Sequence, residues 1–240
     1  MSQNLLKRII TSIFLLSLLI FINFSHKNIF IISILIIGLI ICLEANNLFS
    51  KFLTNKYSQK NSLINKLNIK FIMFNIITFF YIFFVFCNLS YEIHRSESPI
   101  FFMFVISICF FTDIGGYVFG KIIGGKKLSK ISPNKTIAGT IGSFISSIIP
   151  LIIVINFDYL DLEFNLINII FCLLISLISQ LGDLFISLIK RKAKIKDTGN
   201  LLPGHGGILD RVDGIIFAVP FSYFLLKLLK KKKMILILFC

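Results

Sequence analysis

The sequence predicts an all-α, polytopic integral membrane protein with about seven transmembrane helices. Two observations carry that reading. Of the 240 residues, 56% are hydrophobic, more than a soluble domain of this length could bury. The apolar residues also fall into span-length runs, about 9–24, 28–48, 71–88, 99–120, 137–156, 165–189 and 212–229. The net charge of +14 is then a matter of topology and implies no nucleic-acid partner.

The first run, 9–24, has the length of a signal-peptide core, but Phe24-Ser25-His26-Lys27 offers no small-residue cleavage site, so it reads as a retained span. With Lys7 and Arg8 in the cytoplasm, the loop 49–70 is cytoplasmic and carries Lys51, Lys56, Lys60, Lys66 and Lys70. The loop 121–136 follows with Lys121, Lys126, Lys127, Lys130 and Lys135, and 190–211 is cytoplasmic too. The outer loops hold Lys27 and Arg95 with Glu92, Glu97, Asp158, Asp161 and Glu163. Six spans alternate consistently. The seventh conflicts, because a full crossing puts Lys230 to Lys233 outside; either it bends back at Pro220 or it breaks the rule. Four of the five cysteines sit in apolar runs and read as small buried hydrophobes.

Thirteen of the fourteen glycines lie between Gly115 and Gly214. Asp113, Asp183, Asp197, Asp210 and Asp213 fall in that same half, in or beside the cytoplasmic leaflet. Glu44 stands apart, near the end of the second span. Residues 1–98 therefore read as membrane scaffold and 99–240 as the region carrying the site, within one domain overall. No internal repeat or low-complexity linker is visible.

Asp183 lies inside an apolar run, roughly 10 Å below the lysines at helical rise. A lone carboxylate there costs about 2.5–3.5 kcal/mol on insertion scales. On a helix it shares a stripe with Ser176, Ser179, Gln180, Ser187 and Lys190. Such a stripe faces a watery cleft or another helix. Two readings of Asp183 stay open, an ion pair between helices and a metal or substrate ligand. Asp113, beside Gly115 and Gly116, is similarly either a ligand or a tolerated acid at a packing site.

The stretch Lys126 to Thr136 is a basic loop with hydroxyls that ends at a helix start, where Ser132, Lys135 and Thr136 suit a phosphate. Plain attraction to anionic head groups is the alternative. Further on runs Pro203-Gly204-His205-Gly206-Gly207, then Asp210-Arg211-Val212-Asp213. Clustered glycines imply positive φ or close approach. Asp210 and Asp213, three apart, face one way on a helix; they either share a divalent cation or serve as helix caps.

These residues resemble the CDP-diacylglycerol synthases, also called phosphatidate cytidylyltransferases. The similarity rests on Ser187, Lys190, Arg191, Lys196, Asp197, Pro203 to Gly207, Asp210, Arg211 and Asp213. It extends to Thr112-Asp113 with Gly115, Gly116 and Tyr117, to Gly120-Lys121, to Ile131 through Thr136 with Gly139 and Gly142, and to Gln180 with Gly182-Asp183. It is specific over about 107–225 and is a bare pattern of apolar spans in 1–98. Ala138 and Ser143 depart from it, where the family often has an acid or amide and a glycine.

The resemblance implies that CTP and phosphatidate give CDP-diacylglycerol and pyrophosphate, a step of phospholipid biosynthesis, at a polar cleft open to the cytoplasm. It implies Mg²⁺, with room for a second monovalent or divalent cation. Asp183 and Asp210 are its foremost metal ligands, followed by Asp213 and Asp197. Lys190, Arg191, Lys196 and Arg211 would hold phosphates, and Ser132, Lys135, Thr136 and Ser187 would help bind nucleotide or lipid phosphate. His205, Gly206, Gly207 and Asp113 complete the substrate-binding set. Location in the inner (cytoplasmic) membrane and a homodimer are compatible with it. The alternatives are another CTP-dependent membrane lipid enzyme of the polyprenol kinase kind, and a non-catalytic transporter or lipid-binding protein.

Overall fold

The computed structural model describes residues 3–57, 64–128, 132, 135–202 and 206–238. Among them there is no β-strand, only the isolated bridges Lys127 to Thr136 and Leu202 to Gly206. The helices are α1 (Gln3–Phe24), α2 (Lys27–Tyr57), α3 (Ile64–Phe80), a π-helical turn (Tyr81–Cys87), α4 (Asn88–Ser96), α5 (Pro99–Ile122), α6 (Ile137–Ser146), α7 (Ile149–Asn156), α8 (Leu166–Lys192), α9 (Leu209–Val212) and α10 (Ile215–Leu238).

Six stretches among the described residues are long and apolar enough to cross a membrane: Lys27–Leu53, Ile69–Ser96, Pro99–Ile122, Ile137–Asn156, Leu166–Lys192 and Leu209–Lys230. Ile10–Phe24 adds a shorter apolar helix. The expected all-α, multi-pass architecture is thus present. Two expected spans are less regular than their hydropathy suggested. The fifth, 137–156, is broken between α6 and α7, where Pro150 brings no N–H and its ring crowds the preceding turn. The second of the long stretches passes through the π-helical turn before α4.

The chain forms two compact units. The first comprises residues 1–91 and 185–213. Within it α2 is central. Ile41, Glu44, Ala45 and Leu48 are all buried on one face of α2, at the 3–4 spacing of a helical stripe. Gly38 lets the π-helical turn approach α2, since a Cβ there would lie 2.8 Å from Cys87 Sγ. Phe49 stacks on Phe74 of α3 with ring centroids 3.7 Å apart.

The second unit comprises residues 92–184 and 214–240. Lipid gives helices no hydrophobic reason to associate, so close packing and hydrogen bonds must hold them. Here α5 and α6 meet through small residues. A Cβ on Gly115 would lie 2.7 Å from the Gly142 carbonyl, and one on Gly139 would lie 2.7 Å from the Gly116 carbonyl. Ser143 donates to the Thr112 carbonyl at 2.8 Å, and the Thr112 hydroxyl meets Ser176 of α8 at 2.9 Å. Gln180 Nε2 then donates to Ser176 Oγ at 3.2 Å. The upper part of the polar stripe on α8 is therefore interhelical glue. Its Ser179 is buried beneath Gly214, where a side chain would collide with it.

The last segment does not turn back. Pro220 lies inside a helix that continues to Leu238. Near its start Gly214 rests on Ser179, and further along Lys230 Nζ lies 2.7 and 2.9 Å from the carboxylate oxygens of Glu97. Glu97 precedes α5, whereas Thr136 packs beside Gly120, near the other end of α5. Over 24 residues α5 spans about 36 Å, a full bilayer core. The final helix is thus long and apolar enough to cross completely, and Glu97 supplies a counter-charge for Lys230. Single cysteines placed at Lys126 and at Lys230, in a variant lacking the natural cysteines, should be labelled by an impermeant maleimide from opposite faces of sealed vesicles. Labelling of both from one face would refute the crossing.

Candidate functional site

In the first unit the site is built where α8 ends and the chain returns to α9. Helix α8 ends in Lys190-Arg191-Lys192, cations that suit a helix C-terminus. Lys194 takes φ 57°, a left-handed turn that closes the helix. The chain then runs through Asp197, Thr198 and Gly199 to the neck formed by Leu202 and Gly206, where Leu202 N donates to the Gly206 carbonyl at 2.9 Å. His205, with Pro203 and Gly204, lies outside the described residues.

Asp210 is the hub. Its side chain is 5% exposed and its two oxygens do different work. Oδ2 accepts from Thr198 N at 2.7 Å, Thr198 Oγ1 at 3.0 Å and Gly207 N at 3.0 Å. The bond back to Gly207 resembles the reciprocal half of a capping box and satisfies a donor at the start of α9. Oδ1 takes Lys190 Nζ at 2.8 Å, and that ammonium also lies 4.0 Å from Asp213 Oδ2. Oδ2 thus serves the start of the helix, while Oδ1 meets an ammonium.

Glu44 of α2, outside the set expected from the sequence, completes this cluster. It is 7% exposed. Oε1 accepts from Ile208 N at 3.0 Å, and Oε2 accepts from Leu209 N at 2.8 Å and from Thr198 Oγ1 at 3.0 Å. The Thr198 hydroxyl has one proton and stands between two carboxylates. The glycines follow from this crowding. A Cβ on Gly199 would lie 2.9 Å from Glu44 Oε1, and one on Gly207 would overlap Glu44 and Thr198. Gly206 has φ 85°, and its Cβ would lie 2.9 Å from Asp210 Oδ2 and 3.2 Å from the Asp197 Cβ. Buried carboxylates of the protein itself thus account for Gly206 and Gly207. The signal for Glu44 was there to use: it is the single acid in the first 91 residues, and it interrupts an apolar run.

Asp197, Arg191, Lys196 and Arg211 are exposed around this core, and Ser187 is half-buried on α8. An exposed cation keeps its donors within reach of a phosphate, which buried Lys190 does not. Lys190 marks a point where two carboxylates converge on one positive charge. This donor set fits Mg²⁺, which takes one or two carboxylates and completes its shell with water and substrate phosphate. Among the described residues no three His, Cys, Asp or Glu side chains form a ready-made metal cage.

The second unit holds the other candidates. Asp183 pairs with Lys135, with side-chain exposures of 25% and 31%, so it is ion-paired with a lysine of the basic loop and not with one on a second helix. The basic loop is closed by a clasp in which Leu128 N donates to the Lys135 carbonyl at 2.8 Å and Ile137 N to the Lys126 carbonyl at 3.0 Å. Lys135 N donates to the Ser132 carbonyl at 3.1 Å. Thr136 is the N-cap of α6, and its Oγ1 accepts from Gly139 N at 3.0 Å. The expected helix start is therefore present. Asp113 lies on the exposed face of α5.

Residues 48–229 match the cytidylyltransferase family, and the chain belongs to that family. Among its relatives is the phosphatidate cytidylyltransferase of Staphylococcus aureus strain COL, 45% identical over 134 residues, which are 55% of this chain and 51% of the relative. The phosphatidate cytidylyltransferases of Staphylococcus saprophyticus and Staphylococcus haemolyticus are 43% and 41% identical over 134 and 133 residues, with the same coverage. The chain spans about half the length of the curated relatives it matches.

Removing one member of a buried ion pair leaves the other charge uncompensated, at a cost of about 3–5 kcal/mol. Lys190→Ala strands Asp210, and Lys135→Ala leaves the more exposed Asp183 in contact with water. The first should lower the thermal unfolding midpoint of the detergent-solubilised protein clearly more than the second. Equal shifts would refute the larger contribution of the Lys190–Asp210 pair.

Proposed function

We propose that this protein is a phosphatidate cytidylyltransferase, a nucleotidyltransferase of phospholipid synthesis that joins CTP and phosphatidate into CDP-diacylglycerol and releases pyrophosphate. The observation that carries the reading is the Lys190–Asp210–Asp213 cluster, set within a family match covering residues 48–229 and ringed by exposed cations. The relatives' name supplies the substrates.

The reaction is an in-line displacement. An oxygen of the lipid phosphate forms a bond to the α-phosphorus of CTP, and the bond from that phosphorus to the bridging oxygen of pyrophosphate breaks. The lipid phosphate is already anionic, so no side chain need act as nucleophile. The chemical problem is to bring two polyanions together, and it is met by positive charge held in place beforehand. Arg211, Arg191 and Lys196 bind phosphate oxygens. Ser132, Lys135 and Thr136 at the basic loop, together with Ser187, bind nucleotide or lipid phosphate. Asp210 and Asp213 would hold Mg²⁺, and Asp183 is a further carboxylate for cation binding. When bound, the ion neutralises phosphate charge as pyrophosphate departs. The site opens to the cytoplasm from the inner membrane, with the lysine-rich loops on that side.

Purified protein given Mg²⁺, CTP and phosphatidate should yield a CDP-lipid and pyrophosphate in equal amounts. Release of CDP with a newly phosphorylated lipid would assign a kinase instead, and no turnover would favour a binding protein. Arg211→Lys keeps the charge but removes the two-pronged guanidinium, so kcat/KM should fall by about tenfold or more, roughly 1.4 kcal/mol of transition-state binding. Parental kinetics for Arg211→Lys at low CTP would reduce this residue to a surface charge.

A further inference from the structure

We infer that Glu44 is a positioning residue of this site, acting from α2 to hold the segment from Thr198 to Asp210 in its working shape. The role extends the activity proposed above and rests on it. Three facts lead there. Glu44 is a carboxylate on the buried, otherwise apolar face of α2, between Ile41 and Leu48. Such a group is costly unless its lone pairs are matched. All three of its partners, Thr198, Ile208 and Leu209, belong to the loop that carries the candidate site, and none belongs to α2 itself. Finally, Glu44 precedes residue 48, where the family match begins, so that match assigns it nothing.

The geometry says what it does. Helix α9 has four residues and no side-chain cap of its own. Its first amides would be left without acceptors in an apolar setting. Glu44 supplies them from another helix, at Ile208 and Leu209, while Asp210 Oδ2 takes Gly207. The Thr198 hydroxyl links the two carboxylates. With Oδ2 engaged in this network, Oδ1 of Asp210 is turned to Lys190. Glu44 thus orients Asp210 without touching substrate. A neutral amide at position 44 would set an N–H against donors and break the arrangement.

Glu44→Gln and Glu44→Asp test this in the full-length protein by hydrogen exchange and kinetics. Exchange at the Ile208 and Leu209 amides should accelerate roughly tenfold or more in Glu44→Gln, because charge-assisted bonds are lost. Amides of α5 should keep their parental rates. Per folded molecule, kcat should drop about tenfold or more while KM for CTP changes less than about threefold, since orientation of Asp210 matters most in the transition state. Glu44→Asp keeps the charge and should recover part of both losses. Parental exchange at the two amides in Glu44→Gln would overturn the contact. Faster exchange with parental kcat per folded molecule would leave Glu44 a stabilising residue and end its positioning role. If Glu44→Gln cannot be folded, Glu44→Asp carries both measurements. A parent protein that makes no CDP-lipid would sink the proposed activity instead, and the exchange rates alone would then decide whether Glu44 holds the loop.

Discussion

Burying a carboxylate in an apolar helical protein is the constraint from which the site follows. An unpaired charge at that depth is too costly to persist, so each carboxylate oxygen has to meet a donor. Glu44 and Asp210 solve this together. Their four oxygens collect the amides of Thr198, Gly207, Ile208 and Leu209, the Thr198 hydroxyl and the Lys190 ammonium. Backbone amides can converge on a carboxylate only where side chains stay out of the way. That requirement, rather than flexibility, makes Gly199 and Gly207 glycines. The loop is shaped around two internal anions before any phosphate arrives.

The same arithmetic divides the labour of Asp210. One oxygen has three donors from the fold and holds α9 in place. The other meets the Lys190 ammonium, a positive charge carried by a side chain of α8. Lys190 is largely buried and belongs to this inner layer, whereas Arg191, Lys196 and Arg211 stand outside it, exposed. The inner layer sets geometry, and the outer layer is the part open to a ligand.

The second unit answers a different constraint. Its helices meet in lipid, so contact rests on missing side chains and on hydroxyls, as at Gly115 against Ser146 and at Thr112 against Ser176. This explains why the polar stripe on α8 was hard to read. Ser176, Gln180 and Asp183 share one periodicity but not one purpose: Ser176 ties α8 to α5, Gln180 donates to Ser176 within α8, and Asp183 meets the lysine of the basic loop. Periodicity reports which residues share a face. What lies opposite that face depends on a partner distant in sequence.

That distinction marks how much could be read in advance. The apolar runs made an all-α, multi-pass architecture legible, because bilayer thickness imposes a length on each span; against seven expected runs, six stretches among the described residues are long and apolar enough to cross. The break before Pro150 was smaller than hydropathy resolves. Asp210, Asp213 and Lys190 were legible as chemistry because each lies in a polar segment dense with charge and glycine. Glu44 was not, although it is the lone acid of its region, because its three partners lie more than 150 residues away. It read as scaffold because no other acid lies within the first 91 residues to suggest a site there. An acid isolated in an apolar span cannot be satisfied locally, so its isolation is itself the evidence of a distant partner. Here that partner is the very loop whose glycines and aspartates had already drawn attention, and the two halves of the signal only become one site when α2 is packed against it.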